Sequence, residues 1–327
     1  VNLAAEMPSG FGQIMERIIR QIWEEQATEA GFAPELVQAY GQQFSNAVTK
    51  GYGKDFFEMD WQTPDYEKLK ALHIDAWKFA SAKGNEQMQK LSDALRKPDG
   101  SMRTFEEFRA ETVLITGKHL SGLKAEYNTA VASAQMASKW QTIQAQKELY
   151  PYLQYIAVED NHISNTCLNL ANQVHHVDSP FWRKWYPPNH YNCRSSVKQL
   201  RQLPKEDNPT YTEPNVPEIF KTNLADAGLI IPDGHNYYKN LSVEVYNKYK
   251  RHFPEALQFD IEPLEEKVNG LVRVHFLVDR NGNDFARVLA SAKELAKQGH
   301  IADVMPKINR KDPLYEVLFL TCPPCFF

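Results

Sequence analysis

Residues 104–151 read TFEEFRAETVLITGKHLSGLKAEYNTAVASAQMASKWQTIQAQKELYP. From Thr104 to Leu149 the stretch has no proline and is rich in Ala, Glu, Lys and Gln, so it predicts one or two long helices. Its Ala-rich part, Thr129 to Ala137, lets a neighbouring helix approach closely. The residues before it also carry helical periodicity. Ile14, Ile18 and Ile22 recur at helical spacing with Met15, Ile19 and Trp23 beside them, and Gly31 ends the run. Pro34 suits a first helical turn, followed by a stripe of Leu36, Val37, Tyr40 and Phe44. Gly51-Tyr52-Gly53 is expected to break that helix. Another is expected after Thr63-Pro64, carrying Tyr66, Leu69, Leu72, Ile74, Trp77 and Phe79. Lys97-Pro98-Asp99-Gly100 marks a turn.

Character changes at Tyr150-Pro151. Residues 152–200 are short-segmented, aromatic and polar, with Pro180, Pro187 and Pro188 as punctuation. Residues 203–217 read as a linker with four prolines, and 218–260 return to helical character through Leu224, Val243, Val245, Tyr246 and Tyr249. In the last segment LVRVHFLV at 271–278 is β-rich, Asn281-Gly282 marks a turn, and Asn283 is placed to cap a helix burying Phe285, Val288, Leu289, Ala292 and Leu295. Gly299 ends that helix, and Ile301–Ile308 suits a further strand. The expected fold is α+β, mainly α. It comprises a helical region (1–150), a small loop-rich core (151–202), a linker (203–217), a helical extension (218–260) and a short C-terminal α/β segment (261–327).

Composition narrows the functional classes. The chain has 327 residues, 43% of them apolar and 24% charged, with a net charge of −4. Lys/Arg against Asp/Glu run 13 to 17 in residues 1–110, 15 to 15 in 111–260 and 9 to 9 in 261–327, so no part has the basic excess of a protein that neutralises many phosphates. No apolar run has the length of a membrane span, and VNLAAEMPSG at the start lacks the layout of a signal peptide. Synthesis in a cytoplasm is the expectation. Four cysteines are too few for a disulfide scaffold and read as metal ligands or buried apolar residues. A Gly-rich phosphate loop and a Gly-x-Ser-x-Gly elbow are both missing from the sequence, so neither nucleotide hydrolysis nor a serine hydrolase is indicated.

The informative constellation is EDNHISNTCLNL at 159–170, DSPFW at 178–182 and YPPNHYNCRSSV at 186–197. His190 and Cys193 form a His-x-x-Cys pair, a spacing at which two ligands from one turn reach one ion; Cys167 and His162 are candidates for the other two positions. Two thiols and two imidazoles would make a closed tetrahedral zinc site that staples a segment with little core of its own. The other reading is two buried cysteines and a hydrogen-bonded loop histidine. Asp160 and Arg194 suggest a buried ion pair fixing the loops, because arginine binds carboxylate bidentately and cannot serve as a base. Trp182 and Trp185 suit core or interface.

In order and spacing, Thr166-Cys167, Phe181-Trp182, Pro187-Pro188, His190, Cys193 and Arg194 resemble the core of the Mu F-like phage head-morphogenesis (minor head) proteins, over roughly residues 120–200. The resemblance implies a virion-assembly protein that binds portal or capsid components, made in the bacterial host cytoplasm and carried into the virion near the portal, with no membrane partner. Members often carry Cys-Arg-Cys where this chain reads Cys193-Arg194-Ser195, so His162, His175 or His176 would have to complete a zinc site.

The stretch LVRVHFLVDRNGNDFARVLASAKELAKQGHIADVMPKI resembles the start of small barnase/EndoU/RelE-like nuclease domains of phage polyvalent proteins and toxins. Arg273 and His275 fall two apart on one face of a strand, and Lys307 adds charge, which together with transient nucleic-acid contact would make a metal-independent RNase site. Glu294 is a candidate base only by its place beside Lys293. Cys322-x-x-Cys325 has metal or redox spacing without the helix a thioredoxin-type motif requires. Binding rather than catalysis is the expected work of the chain; the rival is a toxin-like RNase carried on a head-protein scaffold.

Overall fold

The computed structural model describes residue 8, residues 10–25, 31–56, 59, 63, 65–205, 208–262, 264, 270–282, 284–305 and the backbone of 317–320. Pro64, Asn283, Lys307, Cys322 and Cys325, and the end of the strand expected at 301–308, lie outside the described residues. The chain forms two compact units, Val1–His252 and Phe253–Phe327. The expected boundaries near 150, 202 and 217 fall within the first.

The first unit is built on four helices: α1 (Phe11–Glu25), α2 (Pro34–Tyr52), α3 (Tyr66–Asp93) and α4 (Phe105–Gln146). The stretch from Thr104 is thus one helix of 42 residues. A capping box starts it. The Thr104 hydroxyl accepts from the Glu107 amide at 3.3 Å, while the Thr104 amide donates to the Glu107 carboxylate at 2.8 Å. Leu36, Val37, Tyr40 and Phe44 on α2 are buried with Leu69, Leu72 and Phe79 on α3 and Ala130, Ala134 and Ala137 on α4. Helix α2 breaks within Gly51-Tyr52-Gly53, as expected. Gly51 itself still lies inside it, where a Cβ would stand 2.2 Å from the Val131 carbonyl of α4. The helix ends at Gly53, whose φ of +81° suits a left-handed cap.

After α4 the chain folds a three-stranded antiparallel sheet in the order β2-β1-β3: β1 (Tyr152–Ile156) pairs with β2 (Val174–His176) and with β3 (Ser196–Leu200). Two short helices, α5 (Asn165–Leu170) and α6 (Pro180–Trp185), fill the crossings. Residues 208–217 lie along this module. Asn208 serves both backbone groups of Val174, accepting from its amide at 2.8 Å and donating to its carbonyl at 2.7 Å, and Pro214 and Val216 are buried. The segment read as a linker is therefore partly docked, because its few apolar side chains and one amide have surfaces to pair with. Short helices α7 (Leu224–Ala227) and α8 (Val243–Lys250) complete the unit.

A buried polar network ties α3 and α4 to residues 230–240. Lys83, fully buried, meets the Glu126 carboxylate at 2.9 Å and donates to the His119 carbonyl at 2.9 Å, with the Tyr237 hydroxyl at 3.4 Å. Burial draws the Lys83 ammonium down, and Glu126 opposes that. Asp75 accepts from the Ile230 amide at 2.8 Å, and burial raises its carboxyl to about 7.

In the second unit β4 (Phe259–Ile261), β5 (Leu271–His275), β6 (Ile301–Val304) and β7 (Val317–Leu320) form one sheet in that order. β5 and β6 are parallel and joined through α9 (Phe285–Lys297). Val272, Val274, Val288, Ala292, Ala296, Ala302 and Val304 make its core. The fold is α+β and mainly α.

Candidate metal centre

Two local structures bring the cysteines together. Ser164 caps α5, its hydroxyl accepting from the Cys167 amide at 3.1 Å, which sets Cys167 in the first turn. The second is the loop 186–195, pinned at several points. The Tyr186 hydroxyl donates to the Met136 carbonyl of α4 at 3.1 Å, buried Asn189 accepts from Tyr155 at 3.1 Å, and the Asn192 amide donates to Thr129 at 3.1 Å. Asn192 takes a φ of 57°, which lets the chain turn back so that the Cys193 amide bonds the His190 carbonyl at 3.2 Å.

The result is a cluster of Cys167, His190 and Cys193 with all ligand atoms within 4.8 Å of one another. The sulfurs are 3.8 Å apart, and Cys167 Sγ is 3.1 Å from His190 Nε2. The sulfurs are too far apart for a disulfide and close to the roughly 3.8 Å edge of a tetrahedron with Zn–S bonds of about 2.3 Å. His190 Nδ1 lies 2.7 Å from the Tyr191 carbonyl. In the neutral ring that contact places the proton on Nδ1 and leaves the Nε2 lone pair facing the sulfurs, the outer-sphere arrangement of a metal-ligating histidine. The donor set therefore fits a soft, thiolate-preferring ion such as zinc.

Electrostatics point the same way. The Cys193 thiol donates toward Cys167 and, with Ser164 and with His190 when that ring carries both protons, holds the Cys167 thiol well below its usual range against the opposing effect of burial. Cys193 is pushed up by that same donation and by burial, and the His190 imidazole is raised by its hydrogen bond to Cys167. The arrangement favours loss of the Cys167 proton, as a metal-ligating cysteine requires. Lining residues Val158, His162, Ser164, Cys167, His190 and Arg194 surround a cavity of about 20 Å³. That space suits one ion or water and is far below the few hundred Å³ of a substrate pocket.

His162 lies outside the three-residue cluster. It is exposed and lines the same small cavity. Its loop is held by Asp160, which accepts from the His162 amide at 2.9 Å and takes the Arg194 guanidinium in a two-pronged pair at 2.6 Å and 2.6 Å. That pair is exposed rather than buried, a correction to the sequence expectation; both groups extend over the loop into solvent. The guanidinium holds the Asp160 carboxyl well below the usual range. His175 packs on Phe181 with centroids 4.0 Å apart and His176 is exposed. Trp182 and Trp185 are core residues, as expected.

Arg273 and His275 share a face of β5, but that face is covered. Arg273 makes a two-pronged pair with buried Asp303 at 2.7 Å and 2.7 Å and stacks over Phe259, while His275 is buried against Gln258 at 3.3 Å. Alternation alone does not reveal these partners, which come from β6 (Asp303) and from Gln258 just before β4. Glu294 is exposed beside Lys297.

The match to a known family falls on the same segment. Residues 80–198 match the family described as Phage Mu protein F like protein. The chain is 38% identical over 74 residues to the putative capsid assembly protein F of Escherichia phage Mu, which covers 23% of this chain and 17% of that protein. It is 31% identical over 80 residues to the Mu-like prophage FluMu F protein of Haemophilus influenzae, covering 24% of this chain and 18% of that protein. The aligned segment thus spans less than a fifth of either curated relative. No solved structure matches. The Mu F-like match takes in the second part of α3, all of α4 and the metal-ligand cluster. The family match ends before the nuclease-like stretch. Among the described residues no helix is long and apolar enough to cross a membrane.

Proposed function

We propose that this chain is a phage minor head protein that binds portal or capsid components during virion assembly, in the bacterial host cytoplasm and then in the virion. The observation that carries the proposal is that the Mu F-like match coincides with a segment whose chemistry is constructional. It has a metal-sized cavity, three convergent ligands and a loop bolted to α4 by Asn192 and Tyr186. Cys167, His190 and Cys193 would hold a structural zinc ion, with His162 as the fourth ligand once its side chain turns inward. The ion would tie α5 to the 186–195 loop, a stabilisation worth much to a module with a sheet of only three strands.

Two measurements test this. Metal analysis of the purified protein should give about one zinc per chain, lost together with a drop in Tm in Cys193→Ser. Co-purification of the tagged chain with separately expressed portal and major capsid proteins should retain at least one of them. Failure to retain either would refute the assembly role, whereas a metal-free, unaltered Cys193→Ser protein would refute the zinc alone.

A further inference from the structure

The outer side of α1 and the first half of α4 enclose a groove of about 510 Å³. Met15, Ile19, Phe105, Val113, Thr116 and Leu120 line it, and its charged residues are Arg20, Arg109 and a single Glu16. Val113 is 64% exposed and Leu114 beside it 61%, an unusual exposure for adjacent apolar residues of one helix. Both arginines are exposed, and neither guanidinium pairs with a carboxylate or carbonyl among the described residues. This contrasts with Arg103, Arg194, Arg273 and Arg280, each engaged with an acidic group.

We propose that the α1–α4 groove is a docking site for one amphipathic helix of a partner protein. The apolar side of that helix lies on Ile19, Val113 and Leu120, and its acidic side chains meet Arg20 and Arg109. Charge complementarity selects this occupant: a basic helix would bring its cations against two guanidinium groups with one carboxylate to offset them. The dimensions agree. Phe105 to Leu120 on α4 spans about 22 Å at 1.5 Å per residue, which accommodates a helix of about four turns anchored at i, i+4 and i+7. The inference stands on the groove's own chemistry, independent of the metal cluster, and gives the assembly role a surface.

The test uses the full chain and two fluorescein-labelled peptides of about 16 residues, long enough to fill the groove. Both carry leucines at i, i+4 and i+7, one with glutamates flanking the leucine face and the other with lysines. Anisotropy titrations should show the acidic peptide binding at least about tenfold more tightly. Val113→Glu should weaken it by a similar factor, and the double variant Arg20→Glu/Arg109→Glu should reverse the ranking. All three positions are exposed, and circular dichroism melts verify that the fold is kept. Equal binding of the two peptides, no binding of either, or an unreversed ranking in the double variant would overturn the inference. So would a concentration-dependent self-association abolished by Val113→Glu, which would give the face to a second copy of the chain. None of these results bears on retention of portal or capsid proteins.

Discussion

Asp75 is a carboxyl group placed where ionisation is costly. It is buried, its Oδ2 accepts the Ile230 amide, its Oδ1 has no partner among the described residues, and the nearby charges are Lys78 and Asp233. Burial raises it from 3.8 to about 7. The folded chain therefore holds the Asp75 proton over a range in which the unfolded chain has released it, so the contribution of Asp75 to stability is greatest below about pH 4 and falls as pH rises toward 7. Asp75→Asn keeps an acceptor for Ile230 and removes the titration. It is expected to melt close to the parent at pH 4 and to be more stable by roughly 2–4 kcal/mol at pH 8; equal denaturation midpoints at the two pH values would count against this account. Residues also show what sequence can and cannot disclose. Cys167, His190 and Cys193 were legible because thiols and imidazoles have few other uses at such spacing. Lys83 and Glu126 were not. A lysine among helix formers reads as solvated, and its partner is 43 positions away on another helix.

Among the elements, α2 and α4 owe their close approach to a missing side chain. A Cβ at Gly51 would stand 2.2 Å from the Val131 carbonyl and 3.0 Å from Ala134 Cβ. Gly51→Ala gains helix propensity of about 1 kcal/mol but forces the helices apart, and overpacking of this kind costs about 1–3 kcal/mol. The variant is expected to lower the urea midpoint, and a raised midpoint would show that α4 can shift freely. The helices were readable from periodicity, and the Ala-rich part of α4 announced a close contact. In Gly51-Tyr52-Gly53 the two glycines do different work, one at a helix crossing and one at the helix end, and only the neighbour on α4 tells them apart. Strand β5 shows the complementary failure. Alternation put Arg273 and His275 on one face correctly, but whether that face meets water depends on Asp303 of β6 and on Gln258 just before β4.

For the molecule as a whole, the mainly helical α+β class followed from the change of pattern at Pro151, while the two compact units divide elsewhere, between His252 and Phe253. A boundary of that sort is set by which surfaces pack, and composition shifts report it only indirectly. The second unit also bears on the rival reading as an RNase. With Arg273 already engaged by Asp303 and His275 buried, the group needed to meet a phosphate is occupied. The full chain is expected to leave total RNA and defined tRNAs intact; cleavage by the parent that disappears in His275→Ala would reverse that expectation. One further consequence follows from Asn208, whose side chain stands beside β2 like the backbone of a missing strand. Exposed strand edges invite other chains to add on, one after another, wherever many copies are crowded together. Here the molecule has already answered its own edge with a single amide. Asn208→Ala should then scatter light at a lower temperature on heating than the parent does, in proportion to protein concentration, as chains begin to pair through the edge that the asparagine now keeps closed.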